Sequence, residues 1–281
     1  MSGRQLTLKQ IQDFKNYLYS EEKSVATIDK YERDTRRFFN FLKNRHTTKD
    51  IVIEYKQKLI CDGYSARSVN SMLAAINSLF AFLDWHDCKV KPLKLQQEIF
   101  RSEEKELTKS EYIKLVKIAQ KKKNDRLCLI LQTICGTGIR VSELKYITVE
   151  AAKRGSVYVS CKAKNRCVFI VKELRKKLLQ YAKMKGIKSG EIFVTRCGKS
   201  VDRISVWREM KSLCREAEVN PTKVFPHNLR HLFARVFYAI EKDVAKLADV
   251  LGHSNINTTR IYIISTGVEH CRKMESMNLI I

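Results

Sequence analysis

No stretch of this sequence is apolar over the about 18 residues that a membrane-crossing helix takes, so no part of it is expected to span a bilayer. The first residues, Met1-Ser2-Gly3-Arg4-Gln5, lack the apolar stretch of a secretory signal, and a cytoplasmic location is expected. C-x-x-C pairs are absent as well. The nine cysteines are an odd number and scattered, with Cys161 and Cys167 flanking a short basic segment. A structural zinc site wants paired ligands at close spacing, so no metal is expected, and the cysteines read as reduced thiols that fill core space. Internal repeats and low-complexity segments are also missing.

Acidic residues are scarce. Thirty Asp and Glu face 54 Lys and Arg, a net charge of +24 over 281 residues. The surplus is uneven: residues 1–100 hold 17 basic against 12 acidic groups, and residues 101–281 hold 37 against 18. Such a surplus attracts polyanions and speeds encounter with them. Charge alone does not choose among DNA, RNA and ribosomes. The 44% hydrophobic content supplies a real core, and the length suits two ordinary domains.

The first hundred residues read as helices. Thr7-Leu8-Lys9-Gln10 resembles a capping box before Ile11, Phe14 and Leu18. Ser24 opens a second run with Ile28, Tyr31, Thr35, Phe38 and Leu42. After Gly63 a third carries Val69, Met72, Ile76, Leu79, Phe80 and Leu83. These faces are ordinary core. Pro92 and the charged stretch Glu98 to Glu106 suggest a linker, and Thr108-Lys109-Ser110-Glu111 is a second capping box. The expected division is 1–95, a linker over 96–106, and a second domain over 107–281. In that domain a helix through Leu127, Ile130, Leu131 and Ile134 stops at Gly136-Thr137-Gly138, and another starts around Val141. Val157–Val159 and Val168–Val171 read as two strands, with Ile192–Val194 a further short one.

Reactive residue types concentrate in three segments. In Thr137-Gly138-Ile139-Arg140-Val141-Ser142-Glu143-Leu144, Gly138 and the preceding Gly136 allow a sharp turn, which puts Arg140 at a helix start beside outward-pointing N–H groups, a place to hold an anion. In His227-Asn228-Leu229-Arg230-His231, positions 227 and 230 share a helix face. Two histidines and an arginine among apolar residues are costly to bury without purpose, although a capped helix with a satisfied histidine reads equally well. In the third segment Val244, Leu247, Ala248 and Leu251 form a helix face that Gly252 ends, leaving His253 in a turn and Tyr262 on the next short helix.

Together these segments resemble the tyrosine recombinase (phage integrase, Xer-like) family. Its signature runs T-G-x-R-x-x-E-L, then H-x-L-R-H, then L-G-H with a nucleophilic tyrosine nine residues on. Arg140, Glu143, His227, Arg230, His253 and Tyr262 all fall where that pattern requires. The resemblance implies a mainly α fold with a small antiparallel β-sheet (α+β), in which a helical, SAM-like core-binding domain and a catalytic domain form a clamp around DNA. It implies a 3′-phosphotyrosyl intermediate on Tyr262, with Arg140 and Arg230 on the phosphate oxygens, His227 moving the tyrosine proton and His253 bonding the phosphate. Glu143 and His231 support the site.

The family also uses a lysine in a β-hairpin turn as general acid. Lys162 matches best, in a turn one residue shorter than the common G-K-G-N-K-E-R form, with Lys164 the alternative. Lys164 and Arg166 are otherwise expected as DNA contacts. The implied partners are double-stranded DNA carrying specific recombination sites and three further copies in a tetramer, with no cofactor and no membrane. Leu279-Ile280-Ile281 is an apolar end that either folds back or docks on a neighbouring copy.

The competing classes are disfavoured. Metal-dependent nucleases need a carboxylate cluster, and an RNA-binding module would show an aromatic RNP motif. A type IB topoisomerase uses nearly the same residues, and a DNA-binding regulator would have lost some of them. Integration, excision or inversion of a mobile or phage element is the expected role, with Xer-like dimer resolution the alternative.

Overall fold

The computed structural model describes residues 4–95, 105–161, 164–195, 197–253, 255–263 and 274–277. The chain divides into two compact units, Met1–Gln97 and Glu98–Ile281. The expected linker over 96–106 falls largely outside the described residues, as do Lys162 and the apolar end 279–281.

The first unit is four helices: α1 (Leu8–Ser20), α2 (Val25–Leu42), α3 (Lys49–Cys61) and α4 (Ala66–Phe82). Each begins at a side chain that accepts from an otherwise unpaired backbone N–H: Thr7, Ser24, Thr48 and Ser65. Thr7 and Gln10 close a reciprocal capping box. The core is aromatic. Phe38 lies edge-on to Tyr55 (5.1 Å between ring centres) and to Phe80 (5.9 Å). The chain leaving α4 is tied back by two asparagine side chains. Asn77 bonds both backbone groups of Val90, and Asn70 both of Leu93.

The second unit holds α5 (Lys109–Lys121), α6 (Asp125–Thr137), a six-residue 3-10 turn (Val141–Tyr146), α7 (Val149–Arg154), the strands β1 (Ser156–Cys161) and β2 (Lys164–Phe169), and then α8 (Lys172–Met184), α9 (Arg203–Lys211), α10 (Cys214–Ala217), α11 (Pro226–Glu241), α12 (Val244–Leu251) and α13 (Ile256–Ile263). The strands pair antiparallel, Val157 opposite Val168 and Val159 opposite Arg166. Alternation sets their faces: Val157, Val159 and Val168 are buried, while Tyr158 and Phe169 point outward. Both units are helical, with one small antiparallel sheet between described strands.

Two local expectations change. The segment after Arg140 is a 3-10 turn of six residues, with Glu143 at its third position folded back onto the Arg140 N–H. Ile192–Val194 forms no strand. Ile192 and Phe193 are both fully buried in succession, which period-two alternation cannot give, and only the isolated bridges Thr148–Glu191 and Val194–Ser200 form.

The helices of the second unit converge on two glycine-ended caps. Gly138 ends α6 and Gly252 ends α12, both in the left-handed region (φ +68° and +66°). A Cβ on Gly138 would come within 2.5 Å of the Phe233 ring on α11. Gly138→Ala should therefore combine backbone strain with overpacking and cost about 1–3 kcal/mol. Urea unfolding measures it, and an unchanged midpoint would show that α11 gives way freely.

Candidate active site

Helix α11 carries the centre of the site. It packs on α6, α12 and α13, and Arg230 points from it into the space between them. Arg230 is 1% exposed, and its guanidinium is held on three sides. It donates to the carbonyl of Gly138 (2.5 Å), to the carbonyl of Leu251 (2.7 Å) and to Nε2 of His253 (3.0 Å). Both carbonyls lie at helix C-termini, where backbone acceptors are left unpaired and the helix dipole is negative. The Arg230 Nε–H has no hydrogen-bond partner. Burial, then the charge of Arg140, lower its pKa to about 10. Tyr262 opposes that shift, and Arg166 adds to it.

His253 follows Gly252, and its backbone N–H bonds the carbonyl of Ala248 (2.9 Å), which fixes the turn. Because Nε2 faces a guanidinium donor, it is an acceptor. The ring proton then sits on Nδ1, 2.8 Å from the Thr259 hydroxyl. Burial first, then Arg230, Arg140, Arg166 and His227, push this imidazole down to about 4. Thr259 is fully buried on α13, three residues before Tyr262 and so on the same helix face. The sequence reading assigned it no role. Its signal is a hydroxyl on the nucleophile's own face, six residues after the histidine it orients.

Tyr262 is 5% exposed and packs with Ala234, Leu247 and Leu251. Three imidazoles surround its ring: His231 at 4.3 Å between centres, His253 nearly parallel at 5.5 Å, and His227 at 6.0 Å. His227 sits on the exposed side of α11, and His231 is buried against it at 4.5 Å.

A second charged cluster adjoins the first. Glu143 is 3% exposed and bonds Arg140 twice, at the backbone N–H (2.7 Å) and the guanidinium (2.9 Å). From β2, Arg166 forks onto the same carboxylate at 2.7 and 3.2 Å. Burial alone would raise the Glu143 carboxyl. Only together do the Arg166 fork and the Arg140 N–H and guanidinium outweigh it and hold Glu143 below the usual carboxylate range. Arg166, expected at the DNA, is thus turned inward, its side chain 9% exposed.

The structure brings Arg140, Glu143, His227, Arg230, His231, His253, Tyr262 and Arg166 into one region. The side chains of Lys162 and Lys164 lie outside the described residues. Three guanidiniums, Arg140, Arg166 and Arg230, meet in a region where one carboxylate, Glu143, answers Arg140 and Arg166, and where Arg230 bonds backbone carbonyls and His253. Among the described residues the charge there is therefore positive and suited to an anion.

With a pKa lowered to about 4, His253 binds fewer protons folded than unfolded. Its contribution to stability is therefore complete above the ordinary value of about 6.5 and lost as pH falls toward 4. Proton NMR of the free protein should show the His253 ring titrating near 4. A midpoint at 6 or above would contradict the arrangement.

Comparison with known proteins follows the same lines. The phage integrase family matches residues 105–267, and the phage integrase N-terminal SAM-like domain matches residues 11–87. Tyrosine recombinase XerA of Thermococcus kodakarensis is 34% identical over 277 residues, covering 94% of this chain and 93% of the relative. XerA of Pyrococcus horikoshii is 32% identical over 270 residues, covering 94% and 91%. Among solved structures, a lambda integrase tetramer bound to a Holliday junction matches with a TM-score of 0.75 at 17% identity, covering 93% of this chain and 78% of that one. XerH bound to its difH substrate matches with a TM-score of 0.71 at 19% identity, covering 98% and 85%. These two likenesses speak to the fold. Family matches over both halves and relatives spanning nearly the whole length carry the assignment: the chain belongs to the phage integrase family of tyrosine recombinases, enzymes that cleave and rejoin DNA.

Proposed function

We propose that this protein recombines double-stranded DNA at specific sites through a covalent bond to Tyr262. The observation that carries the reading is the tyrosine set among His227, His231 and His253, with Arg230 buried beside it. A phosphodiester under attack spreads negative charge over its non-bridging oxygens, so the work is positioning and charge stabilisation. Arg140 and Arg230 take those oxygens, and the unpaired Arg230 Nε–H is one donor left for them. As the Tyr262 oxygen attacks phosphorus, His227 accepts the tyrosine proton. The bond to the 5′-oxygen breaks as Lys162 protonates that oxygen, leaving a 3′-phosphotyrosine and a 5′-hydroxyl. In rejoining, a 5′-hydroxyl attacks the phosphotyrosine and Tyr262 leaves with its proton restored. One phosphoester bond replaces another at each step, so no nucleotide is consumed.

Electrostatics gives His253 a place in this sequence. It is neutral while the arginines stand alone. A bound diester offsets the arginines' share of that shift, though not the share from burial, and favours a hydrogen bond between His253 and the phosphate. Glu143 and His231 hold their neighbours in place. Residues 1–95 are the core-binding domain and residues 107–281 the catalytic domain, joined through 96–106, and the two clamp the duplex. Lys164 adds a phosphate contact.

Strand exchange needs four active sites, and a tetramer of this chain on DNA supplies them. A tetrameric relative on a junction supports that reading. The protein works on DNA in the cytoplasm, at the nucleoid. Its role is the integration, excision or inversion of a mobile or phage element. Xer-like dimer resolution is the second reading, favoured by the name shared by the near-full-length archaeal relatives.

On a nicked suicide duplex, wild type should give a covalent protein–DNA band on a denaturing gel. Tyr262→Phe should bind the duplex and give none, and a persisting band would place the nucleophile elsewhere. Because arginines supply the charge, cleavage should also proceed in EDTA without nucleotide. An absolute need for magnesium at that step would contradict the chemistry.

A further inference from the structure

Arg166 lies on the strand that returns from the hairpin turn, four residues after Lys162. Its side chain does three things at once. The guanidinium forks onto Glu143, which also holds Arg140. Its aliphatic stem and NH1 lie over Gly252, where a Cβ would approach Cδ to 2.7 Å and NH1 to 3.0 Å. Its charge also helps lower the His253 pKa. One side chain therefore ties the hairpin to the Arg140 turn and to the cap that sets His253.

The rest of the hairpin is weakly held near its turn. Among the described residues, hydrogen bonds join its outer half to the rest of the unit at two places. One is the exposed bond from the Tyr146 hydroxyl to the Ser160 carbonyl (3.3 Å), and the other is the Arg166 fork. The outward face carries Tyr158 and Phe169, both exposed. A short two-stranded ribbon is marginal alone; here Val157, Val159 and Val168 anchor one face in the core, and the buried, two-pronged ion pair anchors β2 at Arg166.

The geometry points to Arg166 as a positioning residue that docks the hairpin on Glu143 and Gly252, so that the turn lysine reaches the leaving 5′-oxygen. This rests on reading the hairpin lysine as the general acid. It replaces the direct DNA contact expected for Arg166 from the sequence, because the fork and the stem are already engaged within the protein. Lysine at this position would keep the charge and lose the planar two-point grip.

The test uses the full chain and two duplexes, one ordinary and one with a 5′-bridging phosphorothiolate at the cleaved position. The sulfur leaves as a thiolate and needs no proton. Arg166→Lys and Arg166→Gln should cleave the ordinary duplex roughly 100-fold more slowly, the cost of misplacing a reacting group by about 1 Å. On the phosphorothiolate both should return to near the wild-type rate with half-site affinity little changed, Arg166→Lys keeping beside Glu143 the charge that Arg166→Gln removes. The same rescue of Lys162→Ala or Lys164→Ala, run in parallel, identifies the acid. If a lysine variant is rescued and the Arg166 variants stay slow on both duplexes, Arg166 acts on the phosphate or through Arg140 and the proposal fails. Loss of DNA affinity in Arg166→Lys would restore the direct contact and overturn it equally. Rescue of neither lysine variant would overturn the acid reading beneath it.

Discussion

The buried guanidinium of Arg230 is the constraint around which the catalytic unit is organised. Removing such a charge from water costs several kcal/mol unless its donors are satisfied. The protein meets that demand with backbone. Gly138 closes α6 and Leu251 closes α12, so each carbonyl that Arg230 takes is one that its own helix leaves unpaired. Both helix ends are negative poles. The same charge joins α6, α11 and α12; the left-handed cap at Gly138 lets Phe233 and Leu251 approach closely, and that at Gly252 leaves room for Arg166.

Around this centre the site is deliberately short of negative charge. Glu143 answers Arg140 and Arg166, and among the described residues no carboxylate is bonded to Arg230. Burial first, and then the repulsion among these groups, lowers Arg230 and His253. On the proposed mechanism a phosphodiester entering here relieves that repulsion, and relief grows as charge builds on the oxygens under attack.

Much of this was legible from the sequence because it is local. Capping boxes at Thr7 and Thr108 announce helix starts through a contact three residues long, and the alternation of Val157, Tyr158 and Val159 announces a half-buried strand. The motif spacing brought Arg140, His227, Arg230, His253 and Tyr262 together in one reading. What escaped is long-range. Nothing near Arg230 reveals that its acceptor is Gly138, 92 positions away, and nothing near Arg166 reveals Glu143, 23 positions away. A basic hairpin reads as a surface for DNA until its partner is known. Ile192–Val194 misled for a related reason: consecutive apolar residues suit a buried connection as well as a strand, and tertiary packing chose the former.

The central claim is that the arginines act on the negative charge of the scissile phosphate. Replacing one non-bridging oxygen by a methyl group removes that charge and leaves the bond to be broken. Cleavage by Arg140→Ala should therefore be measured on a phosphodiester duplex and on its methylphosphonate counterpart. The account predicts that the variant, inactive on the phosphodiester, cleaves the methylphosphonate. A folded, DNA-binding Arg140→Ala protein equally inactive on both would contradict it.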